Sequence, residues 1–220
     1  MLTSYRRVLA HPGALRFSLT GLVARLPISM VGLGIVLLVS AATGRYGVAG
    51  AVSAAFMLAN AGLAILQGRL LDRFGQGRVL AVASVVFGTA VSLLVVSVQA
   101  QWPVAATYVL AAVAGAFLPQ VGSSVRARWS HVLDRPADVQ TAYALEAVLD
   151  EAVFILGPIL VTVLATAVHP VAGIAVAVVA CVGGTLAFCA QRGTEPPAHP
   201  RSHASGQRPT MPWPTIAPLA

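Results

Sequence analysis

The sequence predicts an all-α integral membrane protein with six transmembrane helices. Three observations carry the prediction. Hydrophobic residues make up 57% of the 220 and charged residues only 10%, against about 25% charged in a soluble domain, and the mean hydropathy is +0.82. The charges are gathered into short segments between apolar runs of crossing length, roughly 17–25 residues. All 14 basic residues are arginines, and every one except Arg25 and Arg45 falls on alternate connections or the two tails, the asymmetry that orients a multi-spanning protein.

The elements follow in order. Residues 1–16 read as an N-terminal tail with Arg6, Arg7 and Arg16. Residues 26–44 are charge-free and give the first span, extended back toward Phe17. Residues 46–68 give the second, and Arg69, Arg73 and Arg78 follow it. Residues 79–125 carry no charge and are long enough for two spans, with a break at 99–103, where Gln99, Gln101 and Pro103 favour a turn and Trp102 suits the interfacial aromatic belt. Arg126, Arg128 and Arg135 then form the next connection. Residues 152–191 again hold two spans, broken near 167–170. The six-span bundle therefore occupies residues 17–191. Residues 192–220, with seven prolines from Pro196 to Pro218, read as a disordered tail. The arginine bias places both termini in the cytoplasm of a cell membrane, a bacterial inner membrane.

Several function classes lose support. The arginines lie between apolar runs without interleaved aromatics, so they do not form a nucleic-acid surface. The histidines show no metal-ligand spacing, and neither metal nor cofactor is expected. Cys181 and Cys189 stand eight apart in one apolar run, about 12 Å on a helix and too far for a bridge. No phosphate-binding glycine loop occurs, and no intramembrane Ser/His, paired-aspartate or metal constellation points to an enzyme. The first run is too long for a removed signal peptide and reads as a signal anchor.

The segment Gly68-Arg-Leu-Leu-Asp72-Arg73-Phe-Gly75-Gln-Gly77-Arg78 reads as a tight turn, with Gly75 and Gly77 permitting the positive φ that ends one helix and starts the next. Asp72 either pairs locally or faces the positive end of a neighbouring helix. This segment resembles the signature loop of the major facilitator superfamily, G-x-L-x-D-R-x-G. Gly68, Leu70, Asp72, Arg73 and Gly75 are in register, Arg78 stands near the usual basic position, and the loop falls between the second and third spans as in that family. The resemblance implies a half bundle of two inverted three-helix repeats, and a conformational latch at Gly68, Asp72, Arg73, Gly75 and Arg78. Gly157-Pro158 in the fifth span resembles the Gly-Pro pair of the superfamily's drug/proton antiporters and predicts a helix kink. One feature departs from the family: the usual arginine deep in the fourth span is missing, since residues 108–125 carry no charge.

Four charges are candidates for the polar cavity. Arg25 lies inside the first span, and Glu146, Asp150 and Glu151 enter the fifth. Glu146 and Asp150, four apart, share one helical face. Arg25 is expected to pair with Asp150 or with Glu146, the alternative being that it snorkels to the headgroups. The implied function is secondary active transport, a proton-coupled efflux of small organic molecules from a bilayer-embedded chain working with a second half-transporter or a second copy of itself. The alternative is a truncated, non-transporting half or membrane scaffold.

Overall fold

A computed structural model describes residues 2–198. Among these, nine α-helices and one 3-10 turn build the chain: α1 (Leu2–Leu9), α2 (Ala14–Arg25), α3 (Pro27–Thr43), α4 (Tyr46–Phe74), α5 (Gln76–Gln99), α6 (Val104–Ala116), α7 (Val121–Val132), α8 (Pro136–Ala167), α9 (Ala172–Cys189) and the turn Arg192–Thr194. Six stretches are long and apolar enough to cross a membrane, two of them made of paired helices: α2 with α3 (Ala14–Thr43) and α6 with α7 (Val104–Val132). The connections at 100–103 and 168–171 fall where the sequence places them.

The two interrupted spans each break at a proline. Pro27 has no N–H to continue the ladder, and the chain bridges the step with short three-residue bonds, Leu26 N to Val23 O and Ser29 N to Leu26 O. In the fourth span Pro119 cannot donate to Gly115 O and biases Leu118 away from helix, so α6 stops at Ala116. The break frees backbone carbonyls at membrane depth, where no water is at hand. Gln67 of α4 meets them: its Nε2 donates to Ala116 O at 2.7 Å and to Leu118 O at 3.1 Å.

The packing has an internal symmetry. The second span lies on the fourth (α4 on α6), and the fifth lies on the first (α8 on α3). The first contacts the sixth (α2 on α9), and the fourth contacts the third (α6 on α5). The third packs on the sixth (α5 on α9). Exchanging spans one to three for four to six turns each pairing into another of the set. Three crossings per unit also reverse the direction of the second unit, which gives two inverted three-helix repeats. Small residues let the backbones close up: a Cβ on Gly115 would overlap the Phe56 carbonyl of α4, and one on Gly184 would sit 2.7 Å from the Ala24 nitrogen of α2. The apolar core runs between α3, α4, α5, α6 and α9, with Met30, Ile35, Phe87 and Leu94 fully covered.

Four details differ from the sequence reading. The N-terminal segment is not a plain tail: α1 packs against α8 with Val8 buried, and the first span begins at Ala14 rather than Phe17. The segment 68–78 is mostly helix. α4 continues to Phe74, Gly75 alone makes the turn at φ 85°, and Gly77 is already helical in α5. Arg126 and Arg128 are not loop residues, because α7 extends the fourth span to Val132. Residues 192–198 hold a 3-10 turn, and the expected tail from 199 onward lies outside the described residues.

Candidate functional site

Three helices converge on a buried ionic cluster at the end of the bundle that carries most of the arginines. Arg25 is the last residue of α2, immediately before the Pro27 break, roughly 16 Å along the helix from Ala14. Glu146 lies about 15 Å along α8 from Pro136, so the two meet at similar depth. The Arg25 guanidinium spreads over both carboxylates of α8: Nη2 donates to Glu146 Oε2 at 2.5 Å and Nη1 to Asp150 Oδ1 at 2.7 Å. Its Nε donates to Gly21 O of its own helix at 3.1 Å. The i,i+4 spacing of Glu146 and Asp150 is what lets one arginine reach both.

The two carboxylates are held differently. The Glu146 side chain is fully covered. Its Oε1 accepts from Ser18 Oγ at 2.8 Å and from Trp129 Nε1 at 2.9 Å, so with Arg25 it has three donors. Trp129 is itself fixed by Phe17, edge to face at 4.6 Å between ring centroids. Asp150 is 26% exposed and bridges two cations: Arg25 on Oδ1, and Arg126 of α7 on Oδ2 at 2.7 Å. Two arginines and two carboxylates make the cluster neutral overall, as a buried group of charges must nearly be. Glu151 is exposed and forms no ion pair among the described residues, so the fourth sequence candidate stays outside the cluster.

Beside this cluster the break in α2–α3 meets α8. Gly157 of α8 lies so close to Ser29 that a Cβ there would overlap its hydroxyl. Ser29 Oγ donates to Val153 O at 2.9 Å, next to the Phe154 carbonyl that Pro158 cannot serve. Pro158 lies inside an unbroken α8.

The latch candidates form a separate group. Gly68 is inside α4, Asp72 and Arg78 are exposed, and Arg73 lies over the Phe74 ring at 5.0 Å. Asp72 has no ion-pair partner among the described residues. The turn is tied down by neighbours. Glu195 Oε1 accepts from Gly77 N at 2.7 Å, placing a carboxylate on the positive end of α5. Gln76 Nε2 donates to Ser124 O at 3.2 Å, and Arg128 Nε donates to Gln76 Oε1 at 3.1 Å. Fully buried Arg128 also donates through Nη1 to Gln191 O and Thr194 Oγ1, both at 3.0 Å, with its guanidinium 3.7 Å from the centre of the Phe188 ring. Sequence reasoning missed this role of Arg128, because it counts as one more arginine in a basic connection. It missed Trp129 as well, whose one signal is an indole N–H in an apolar segment that needs an acceptor.

A bundle of six apolar crossings in two inverted repeats, with a neutral ion cluster sealed at Arg25 and Glu146 and open at Arg126 between the first, fourth and fifth, defines a multi-pass membrane protein of the transporter class. The profile of the Major Facilitator Superfamily matches residues 17–218, and the chain belongs to that family of membrane transporters. No curated protein and no solved structure gives a significant match.

Proposed function

We propose that this chain is a proton-coupled exporter of small organic molecules, with Asp150 as the coupling carboxylate. The carrying observation is the contrast between the two acids. Glu146 is sealed and saturated with donors, which suits a structural anion. Asp150 is partly exposed and divides its two oxygens between Arg25 and Arg126. A proton arriving at Asp150 removes the charge that holds Arg126, leaves Arg25 on Glu146, and loosens α8 from α7. Loss of the proton restores the bridge. Coupling needs a titratable group that water can reach and whose charge decides a helix–helix contact.

The arginine-rich end is the cytoplasmic one by the positive-inside bias, so both termini are cytoplasmic, and the membrane we assign is the cell membrane. Asp150 then loads from the cytoplasmic side. The working partner is a second bundle, either another half-transporter or a second copy. α4 and α8 are the least covered crossings, with 22% and 17% of their apolar cores buried against 50% for α5, and they offer the faces against which such a bundle rocks. The latch group Gly68, Asp72, Arg73, Gly75 and Arg78, at the same end, holds one of the two access states.

The test is dye transport in proteoliposomes under an imposed proton gradient, using a panel of amphipathic fluorescent cations. Gradient-driven flux is expected for the native chain and is expected to vanish in Asp150→Asn, while exchange of dye without a gradient persists. Gradient-driven flux that survives Asp150→Asn rules Asp150 out.

A further inference from the structure

Below the break in the fourth span, α4 and α5 diverge. They are joined by the single turn at Gly75, and α4 packs far more on α6 than on α5. The wedge between them is an open groove of about 370 Å³. Leu66, Leu70 and Phe74 of α4 form one wall, Val82 of α5 the other, and Phe117 of the break closes its inner end. Each of these five side chains is more than a third exposed. Arg78 stands at the end near the turn, exposed and without an ion-pair partner among the described residues. Arg69 and Arg73, also exposed, lie on the adjoining turns of α4.

We propose that this groove is a phospholipid site, in which one acyl chain lies between α4 and α5 and Arg78 holds the phosphate of an anionic headgroup. The dimensions fit one leaflet. From Leu63 to Phe74 the groove runs roughly 16 Å at ~1.5 Å per residue, about half of a hydrocarbon core ~30 Å thick. The cation sits at the headgroup end and not along the chain, as an anionic lipid requires, and basic pockets between transmembrane helices select such lipids. Charge complementarity also decides between occupants. The chain leaves the described residues at Ala198, beside Phe74, Arg78 and Val82, so residues 199–220 are within reach of the groove. That segment carries Arg201 and Arg208 and no acidic side chain, so it offers Arg78 no carboxylate side chain to pair with, and Glu195, the acid in the same depression, is engaged by Gly77 N. The site uses none of Asp150, Arg25 and Arg126, so its failure leaves the proton-coupling proposal standing, while Arg78 and Arg73 also belong to the latch group.

Native mass spectrometry of the full chain in detergent, with phosphatidylglycerol or phosphatidylcholine of matched chains, tests the proposal. One phosphatidylglycerol is expected to be retained about fivefold in preference, the ratio that corresponds to the ~1 kcal/mol attraction of one basic residue to an anionic lipid surface. Arg78→Gln is expected to abolish the preference while leaving some retention. Val82→Trp, or Leu66→Trp if the first does not fold, is expected to fill the groove and lower retention of both lipids. Equal retention of the two lipids overturns the proposal, and so does a preference that survives Arg78→Gln in folded protein. A lipid that binds only after residues 199–220 are deleted also overturns it, because the tail is then the native occupant.

Discussion

Removing Arg25 tests the ionic cluster where it is most sensitive. In Arg25→Met the apolar stem is kept and the charge is lost. Asp150 retains Arg126 and its partial exposure, but Glu146, whose side chain is fully covered, is left a charge with no cation. Ser18 Oγ and Trp129 Nε1 still donate to it, at 2.8 and 2.9 Å, which offsets part of the loss. Breaking one side of a buried pair costs about 3–5 kcal/mol, and the two remaining donors place this case near the lower end. At about 2–4 °C per kcal/mol for a chain of this size, Tm in detergent falls by roughly 6–12 °C. The double change Arg25→Met, Glu146→Gln removes both charges and keeps acceptors for Trp129 and Ser18, so it recovers most of that fall, since neutralising a whole buried pair is near neutral. Arg126→Gln gives the scale for an open pair. Arg126 is 45% exposed, where ion pairs contribute about 1 kcal/mol or less, so Tm moves by only a few degrees. The assay is fluorescence-detected thermal unfolding of the detergent-solubilised protein. A drop for Arg25→Met no larger than that for Arg126→Gln refutes the reasoning, as does a double variant no more stable than the single one.

Two further substitutions read the supports of the site. Trp129→Phe keeps the edge contact with Phe17 but deletes the hydrogen bond to Glu146, a charged acceptor, and is expected to lower stability by about 1.5–3 kcal/mol in the same unfolding assay; no change places the indole N–H outside the cluster. Gln67→Leu strips the break of its donor to Ala116 and Leu118 and is expected to cost about 2 kcal/mol, with faster hydrogen exchange around residues 115–121 than in the native chain; unchanged exchange there means that the break satisfies itself.

The six crossings were legible because they rest on a quantity that a linear sequence carries directly, the length of charge-free apolar runs. The turns at 100–103 and 168–171 were legible for the same reason, as polar or proline-bearing gaps in such runs. The similar depth of Arg25 and Asp150 could be counted off at ~1.5 Å per residue, and the shared face of the two acids followed from their spacing. What hydropathy does not register is backbone geometry inside an apolar run. Pro27 and Pro119 split two spans without altering their polarity, and nothing local marks Gln67 as the donor to the carbonyls that the second break frees. Arg126 and Arg128 misled for a related reason. A charge after an apolar run reads as the start of a loop, yet α7 carries both onward as helix, one to a carboxylate and the other into a buried network that closes on Gln76 and Thr194. The Glu195 contact to Gly77 joins positions more than a hundred residues apart, which no local pattern encodes.

Substituted-cysteine labelling tests the crossing topology on which the rest depends. In a background with Cys181 and Cys189 replaced, single cysteines at Arg45, Gln101, Asp72 and Arg135 are exposed in intact cells to a membrane-impermeant maleimide. Labelling is expected at Arg45→Cys and Gln101→Cys before permeabilisation, and at Asp72→Cys and Arg135→Cys only after it. Labelling of Asp72→Cys in intact cells, or of all four sites alike, contradicts the account.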